Sequence, residues 1–150
     1  MKEMEKQASL LYSLIQEKLV NRDQEMARLF LTLAKEEEVH EKEVDMAMDI
    51  FLEAPVVFTK IEYASDMVYE VIKSIKQTQE YVKENVYSLT DKEILEAIID
   101  LETAIESKHQ FAFYNVENAE LKQFFKNLLT YDTSHVTKLN NFLNARLNKK

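Results

Sequence analysis

With 150 residues, 46% of them hydrophobic and 31% charged, the chain can bury one core and has the make-up of an ordinary folded domain. It contains no Gly, no Cys and one Pro, Pro55. Without Gly, tight β-hairpins are disfavoured, and without Cys there are no disulfides, zinc–thiolate sites, thiol nucleophiles or Cys-bound iron–sulfur clusters. A formal charge of −8 repels a phosphate backbone, and no apolar run reaches the length of a membrane span, so a cytoplasmic protein with neither nucleic-acid nor membrane partners is expected.

Helical periodicity divides the chain into four long segments. The first runs from about Lys2 to Val20 and ends at the polar break Asn21-Arg22-Asp23, where Asn21 or Asp23 can cap the next helix. The second continues to about Leu52 and stops at Glu53-Ala54-Pro55, because the residue before Pro disfavours the α region. Thr59-Lys60-Ile61-Glu62 has the form of a capping box, and Ile61, Ala64, Val68, Val71 and Ile75 resume the apolar spacing of a shorter helix ending before Ser88. A second capping box, Thr90-Asp91-Lys92-Glu93, opens the third long segment, which reaches about Tyr114. After the break at Asn115 to Asn118 the fourth runs to about Leu147. The pattern predicts one all-α domain over residues 1–150: an antiparallel four-helix bundle of two helix hairpins, joined by a long crossover that contains a shorter helix.

The inward seam of each segment is given by spacings of three and four. The first reads Glu5, Ala8, Tyr12, Ile15, Leu19 and the second Met26, Phe30, Leu33, Glu37, His40, Val44, Ala47, Phe51. The third reads Leu95, Ile98, Glu102, Ile105, His109, Ala112 and the fourth Leu121, Phe125, Leu128, Asp132, His135, Leu139, Phe142. Each apolar seam is interrupted by a carboxylate, and all three histidines of the chain lie on these seams. The interruptions share one depth. Glu5 lies 17 residues before the turn at Arg22, and Glu37 and His40 lie 15 and 18 after it. Glu102 lies 15 before the turn at Glu117, and Asp132 and His135 lie 15 and 18 after it. At about 1.5 Å per residue the two hairpins are approximate repeats that bring four carboxylates and two imidazoles into one layer.

Buried carboxylates repel one another, and each costs several kcal/mol or more to desolvate. No Lys or Arg stands on a seam, so protons or metal ions must supply the positive charge. Two divalent ions balance four carboxylates. A Glu and a His at i and i+3 share one helix face, and mixed carboxylate–imidazole ligands suit iron or manganese, with zinc also compatible.

These residues resemble the motifs of the ferritin-like superfamily of di-iron carboxylate proteins, which join one Glu from each of two helices to Glu-x-x-His from the other two. The rubrerythrin-type branch is the most similar: Glu5 and Tyr12 match its first-helix pattern. The run from Phe30 to His40 resembles its second-helix motif, Ala97 to Glu102 its third, and His135 to Leu139 the end of its fourth. The resemblance implies that Glu37 and Asp132 bridge two metal ions, with Glu5 and His40 as terminal ligands on one side and Glu102 and His135 on the other. It further implies that Tyr12 orients Glu5; His109 lies two turns from Glu102, too far to share its ion, so a hydrogen bond to a ligand is expected of it. The chain departs from the family where Asp132 replaces Glu, where Ile105 replaces a further carboxylate, and where His109 stands in place of a second Tyr. Glu36, Glu38 and Glu41 read as solvated neighbours of Glu37, with Glu41 open to a supporting role.

Three functions are expected from this pattern. The first is a rubrerythrin-like oxidoreductase that reacts with peroxide or dioxygen. Lacking the cysteines of a rubredoxin domain, it would draw electrons from a separate donor protein. The others are iron binding without turnover and a metal-free interaction module on the same bundle. The stretch from Glu53 to Leu89 offers a docking or swapping element, so a homodimer is expected.

Overall fold

A computed structural model describes residues 1–52 and 62–149. It is all-helical, with no strand among the described residues: α1 (Lys2–Leu19), α2 (Gln24–Leu52), α3 (Glu62–Asn85), α4 (Asp91–Asn115) and α5 (Ala119–Asn148). Three of the helices start where the sequence supplies a cap. Asp23 Oδ1 accepts from the Met26 N–H at 3.0 Å at the start of α2. Thr90 and Glu93 form a complete capping box on α4, and Asn118 Oδ1 accepts from the Leu121 N–H at 3.0 Å on α5. The stop at Glu53–Pro55, the capping box at Thr59–Glu62, and the placements of Phe51, Ile61 and Ala64 lie outside the described residues.

Helix α1 packs along α2, and α4 packs along α5; α3 lies against α1 and α4, and α2 meets α5. Most seam residues are buried as their spacing predicts. Two are not: Ala47 is only partly covered, and Leu143 takes the buried place expected for Phe142. The guanidinium of Arg146 sits 4.7 Å from the Phe142 ring and holds it at the edge of the core.

At 24 residues, α3 is shorter than α2, α4 and α5 but longer than the 18-residue α1. Its extent has a packing reason: Val68, Val71, Ile75 and Val82 are buried in the same core cluster as α1 and α4, and Val86 joins them just beyond its end. Two arginines tie the helix ends together. Arg22 donates to the carbonyls of Val86 and Leu89, each at 2.9 Å, and to Asp91. Arg146, near the end of α5, holds Asp23 through two bonds of 2.6 and 2.9 Å and reaches Asp91 at 3.4 Å. No described helix is long and apolar enough to cross a membrane.

Candidate metal centre

The carboxylates predicted on the seams are all buried, and so are the three histidines. Glu5, Glu37, Glu102 and Asp132 are at most 2% exposed, and His40, His109 and His135 at most 4%. Water therefore screens none of them, and contacts within the layer decide their charge. Helix α1 contributes Glu5 and Tyr12, α2 contributes Glu37 and His40, α4 contributes Glu102 and His109, and α5 contributes Asp132 and His135.

His109 spans two carboxylates. Its Nδ1 lies 2.6 Å from Asp132 Oδ2, and its Nε2 lies 3.2 Å from Glu5 Oε1, though out of line for a good hydrogen bond. Burial opposes a charge on this ring, but Asp132 and Glu5 outweigh it and push the imidazole up to about 10. Burial likewise opposes ionised Glu5; His109 overcomes it and holds the carboxyl at about 2. At Asp132 burial wins over the same imidazole, and that carboxyl rises to about 6.

His135 is gripped from both sides. Nδ1 faces Glu37 Oε1 at 3.1 Å and Glu102 Oε1 at 3.5 Å, while Nε2 faces Glu36 Oε2 at 3.1 Å. Burial again opposes its charge, but Glu102 and Glu37 raise the ring to about 11. Glu37 itself is pushed well above the usual carboxylate range by burial and then by the charge of Glu5. His40 places Nδ1 3.0 Å from Glu37 Oε2 and stacks between Tyr131 and His135, at 4.4 and 5.2 Å between ring centres. Burial holds His40 down at about 4. Within the chain alone, then, His109 and His135 supply the cationic charge that no Lys or Arg brings to the seams.

The Tyr12 hydroxyl donates to Glu102 Oε1, which corrects the expectation that it orients Glu5. Tyr12 lies two turns beyond Glu5 on α1, and its side chain crosses to α4 instead of running back along its own helix. Glu36 is also corrected. It is not merely solvated: its carboxylate contacts His135 and accepts from Lys138 Nζ at 2.7 Å. The sequence does carry a clue, since Glu36-Glu37 on one helix and His135 with Lys138 one turn on from it form facing pairs. Periodicity assigns Glu36 to the flank of the seam and cannot say which helix covers that flank.

The donor atoms fit a metal. Both Glu5 oxygens, Glu102 Oε2 and His135 Nδ1 are buried without a hydrogen-bond partner, so the layer holds carboxylate oxygens with unused capacity and a ring nitrogen whose proton a metal ion could replace. One ligand atom each from Glu37, His40 and His135 lies within 4.8 Å of the others. Ligand atoms this close together can serve one ion or flank two. A cleft of about 380 Å³ between α2 and α5 leads from solvent to His40 and His135, with Lys35, Glu36, Tyr131 and Lys138 among its walls. No protein-family model, no curated protein and no solved structure matches the chain.

Proposed function

We propose that the chain is a ferritin-like protein, an antiparallel four-helix bundle whose buried layer holds two metal ions, iron before manganese or zinc. In this reading the loaded protein reacts with peroxide or dioxygen as a rubrerythrin-type oxidoreductase. The observation that carries it is His135 Nδ1, buried without a hydrogen bond between Glu37 and Glu102. Two carboxylates and an imidazole meet there, and a metal ion can replace the ring proton that otherwise makes such a meeting favourable.

Glu37 and Asp132 would lie between the ions, Glu5 and His40 would hold one, and Glu102 and His135 the other. Iron in such a site supplies one-electron steps between its ferrous and ferric states, with electrons delivered by a separate donor protein. The chain's own residues bind, orient and exclude water. Tyr12 holds one oxygen of Glu102, which leaves Oε2 free. His109 holds Asp132 and faces Glu5. The cleft beside Tyr131 gives a small oxidant a route to His40 and His135.

His109 also favours the second reading, metal binding without turnover, because it engages two of the six proposed ligands. One pair of measurements separates the two. Protein loaded anaerobically with ferrous iron should hold about two ions per chain, and Glu37→Ala and His135→Ala should lose them. Peroxide should then oxidise the loaded iron faster than it oxidises iron in the Glu37→Ala variant. Full loading with equal oxidation rates would leave a metal-binding protein without this activity, and failure to load would remove the metal from both readings. The expected homodimer is tested separately by sedimentation equilibrium.

A further inference from the structure

We propose that Glu36 is a positioning residue for His135, fixing which ring nitrogen faces the buried layer and so how tightly the layer holds metal. Glu36 has this role only if the layer is a metal centre, the reading proposed above.

Glu36 and Glu37 are consecutive on α2, yet they contact opposite nitrogens of one ring, Nε2 and Nδ1, each at 3.1 Å. A ring that keeps its proton on Nε2, beside Glu36, presents Nδ1 inward, toward Glu37 and Glu102, where an ion can take the place of the second proton that the cationic ring carries without metal. A carboxylate on the outer nitrogen of a ligating histidine locks the tautomer and raises the basicity of the inner nitrogen. Glu36 is itself held. Lys138, one turn beyond His135 on α5, donates to both of its oxygens, at 2.7 Å to Oε2. Lys138 and His135 on α5 thus both engage Glu36 of α2 along the wall of the cleft. The side chains of Glu36 and Lys138 are 35% and 36% exposed, so substituting either removes the contact without opening the core.

Titration of the whole chain with cobalt(II) alone, followed by visible absorption, reads the affinity. Glu36→Ala should weaken binding about 10- to 100-fold, and Lys138→Met, which releases Glu36, should weaken it less. Glu36→Gln keeps an acceptor oxygen without the charge and should recover most of the affinity. In zinc-loaded protein, ¹⁵N NMR of His135 should find Nε2 protonated and Nδ1 bound to metal, and Glu36→Ala should mix or reverse the two. Binding by Glu36→Ala within twofold of the parent chain, with an unchanged nitrogen pattern, would overturn the proposal. So would Glu36→Gln binding as weakly as Glu36→Ala, because charge and not placement would then be at work. A parent chain that takes up neither cobalt nor zinc would instead remove the metal centre and, with it, this role. If Glu36→Ala does not fold, Lys138→Met and Glu36→Gln carry the same two readouts.

Discussion

His109 sets both ring nitrogens against carboxylates, Asp132 at 2.6 Å and Glu5 at 3.2 Å, in a layer without bulk water. The consequence for stability has a definite sign. The ring sits at about 10 in the fold against about 6.5 in an unfolded chain. Its contribution is therefore complete below about pH 6.5 and is lost as pH rises through about 10. Glu5, held at about 2, adds a contribution that is complete above about pH 4.3 and fades as pH falls toward 2. Asp132, raised to about 6, destabilises the fold increasingly as pH rises from about 3.9 to 6 and by a constant amount above that, so it adds no slope at higher pH. Chelator-treated protein should thus unfold at lower urea concentration at pH 9.5 than at pH 6.5, and His109→Gln should reduce this dependence to the part that His135, raised to about 11, contributes over the same range. At the same scale, Tyr12→Phe removes the hydroxyl that donates to Glu102 and leaves a buried carboxylate oxygen without a donor. A loss of about 1–3 kcal/mol in urea unfolding is expected.

Among the elements, the helices are legible in the sequence because caps and periodicity agree. Thr90 and Glu93 form the capping box that their spacing announces, and α4 begins at Asp91 as a result. Thr90→Ala should cost about 1 kcal/mol, read from the thermal midpoint, since it leaves the Glu93 N–H without its acceptor. The buried polar residues are legible for a related reason: a carboxylate or imidazole stands out against an apolar seam. What a seam cannot give is the partner. The family resemblance pairs Tyr12 with Glu5 on the same helix, whereas the hydroxyl bonds Glu102 on another. Seam spacing leaves Glu36 to solvent, whereas the carboxylate contacts His135. Both errors come from reading one helix at a time, when crossing and rotation decide who meets whom. A strict alternation of three and four also drifts against the true helical period, and at the end of α5 the buried place passes from Phe142 to Leu143.

Across the whole molecule, the ends of the helices are fastened by charge. Arg146 on α5 grips Asp23 in the α1–α2 turn and reaches Asp91 at the start of α4, which Arg22 also holds. These groups are only partly exposed, so Arg146→Ala should lower the thermal midpoint by about 2–6 °C, the equivalent of about 1–2 kcal/mol. If the central layer binds metal, the opposite experiment applies: free ferrous or zinc ion at a hundred times its dissociation constant should raise the midpoint by about 5–10 °C. Calorimetry with and without chelator checks both.

The single polar layer has one more consequence, which concerns alignment. Apolar seams repeat with every turn, so a helix shifted lengthwise by one turn meets much the same surface it left. The buried charges have no such repeat. A one-turn slip of α5 against α2 would carry His135 about 5.4 Å away from Glu36 and Glu37 and strand all three. The layer thus works as a registration mark, giving α1, α2, α4 and α5 one address each along the axis whether or not an ion is bound. Replacing Glu5, Glu37, Glu102, Asp132, His109 and His135 together with leucine and phenylalanine should keep the helical circular dichroism while broadening the NMR spectrum, as the helices come to share several alignments. Sharp, singly populated resonances in that variant would show instead that shape alone locates the helices.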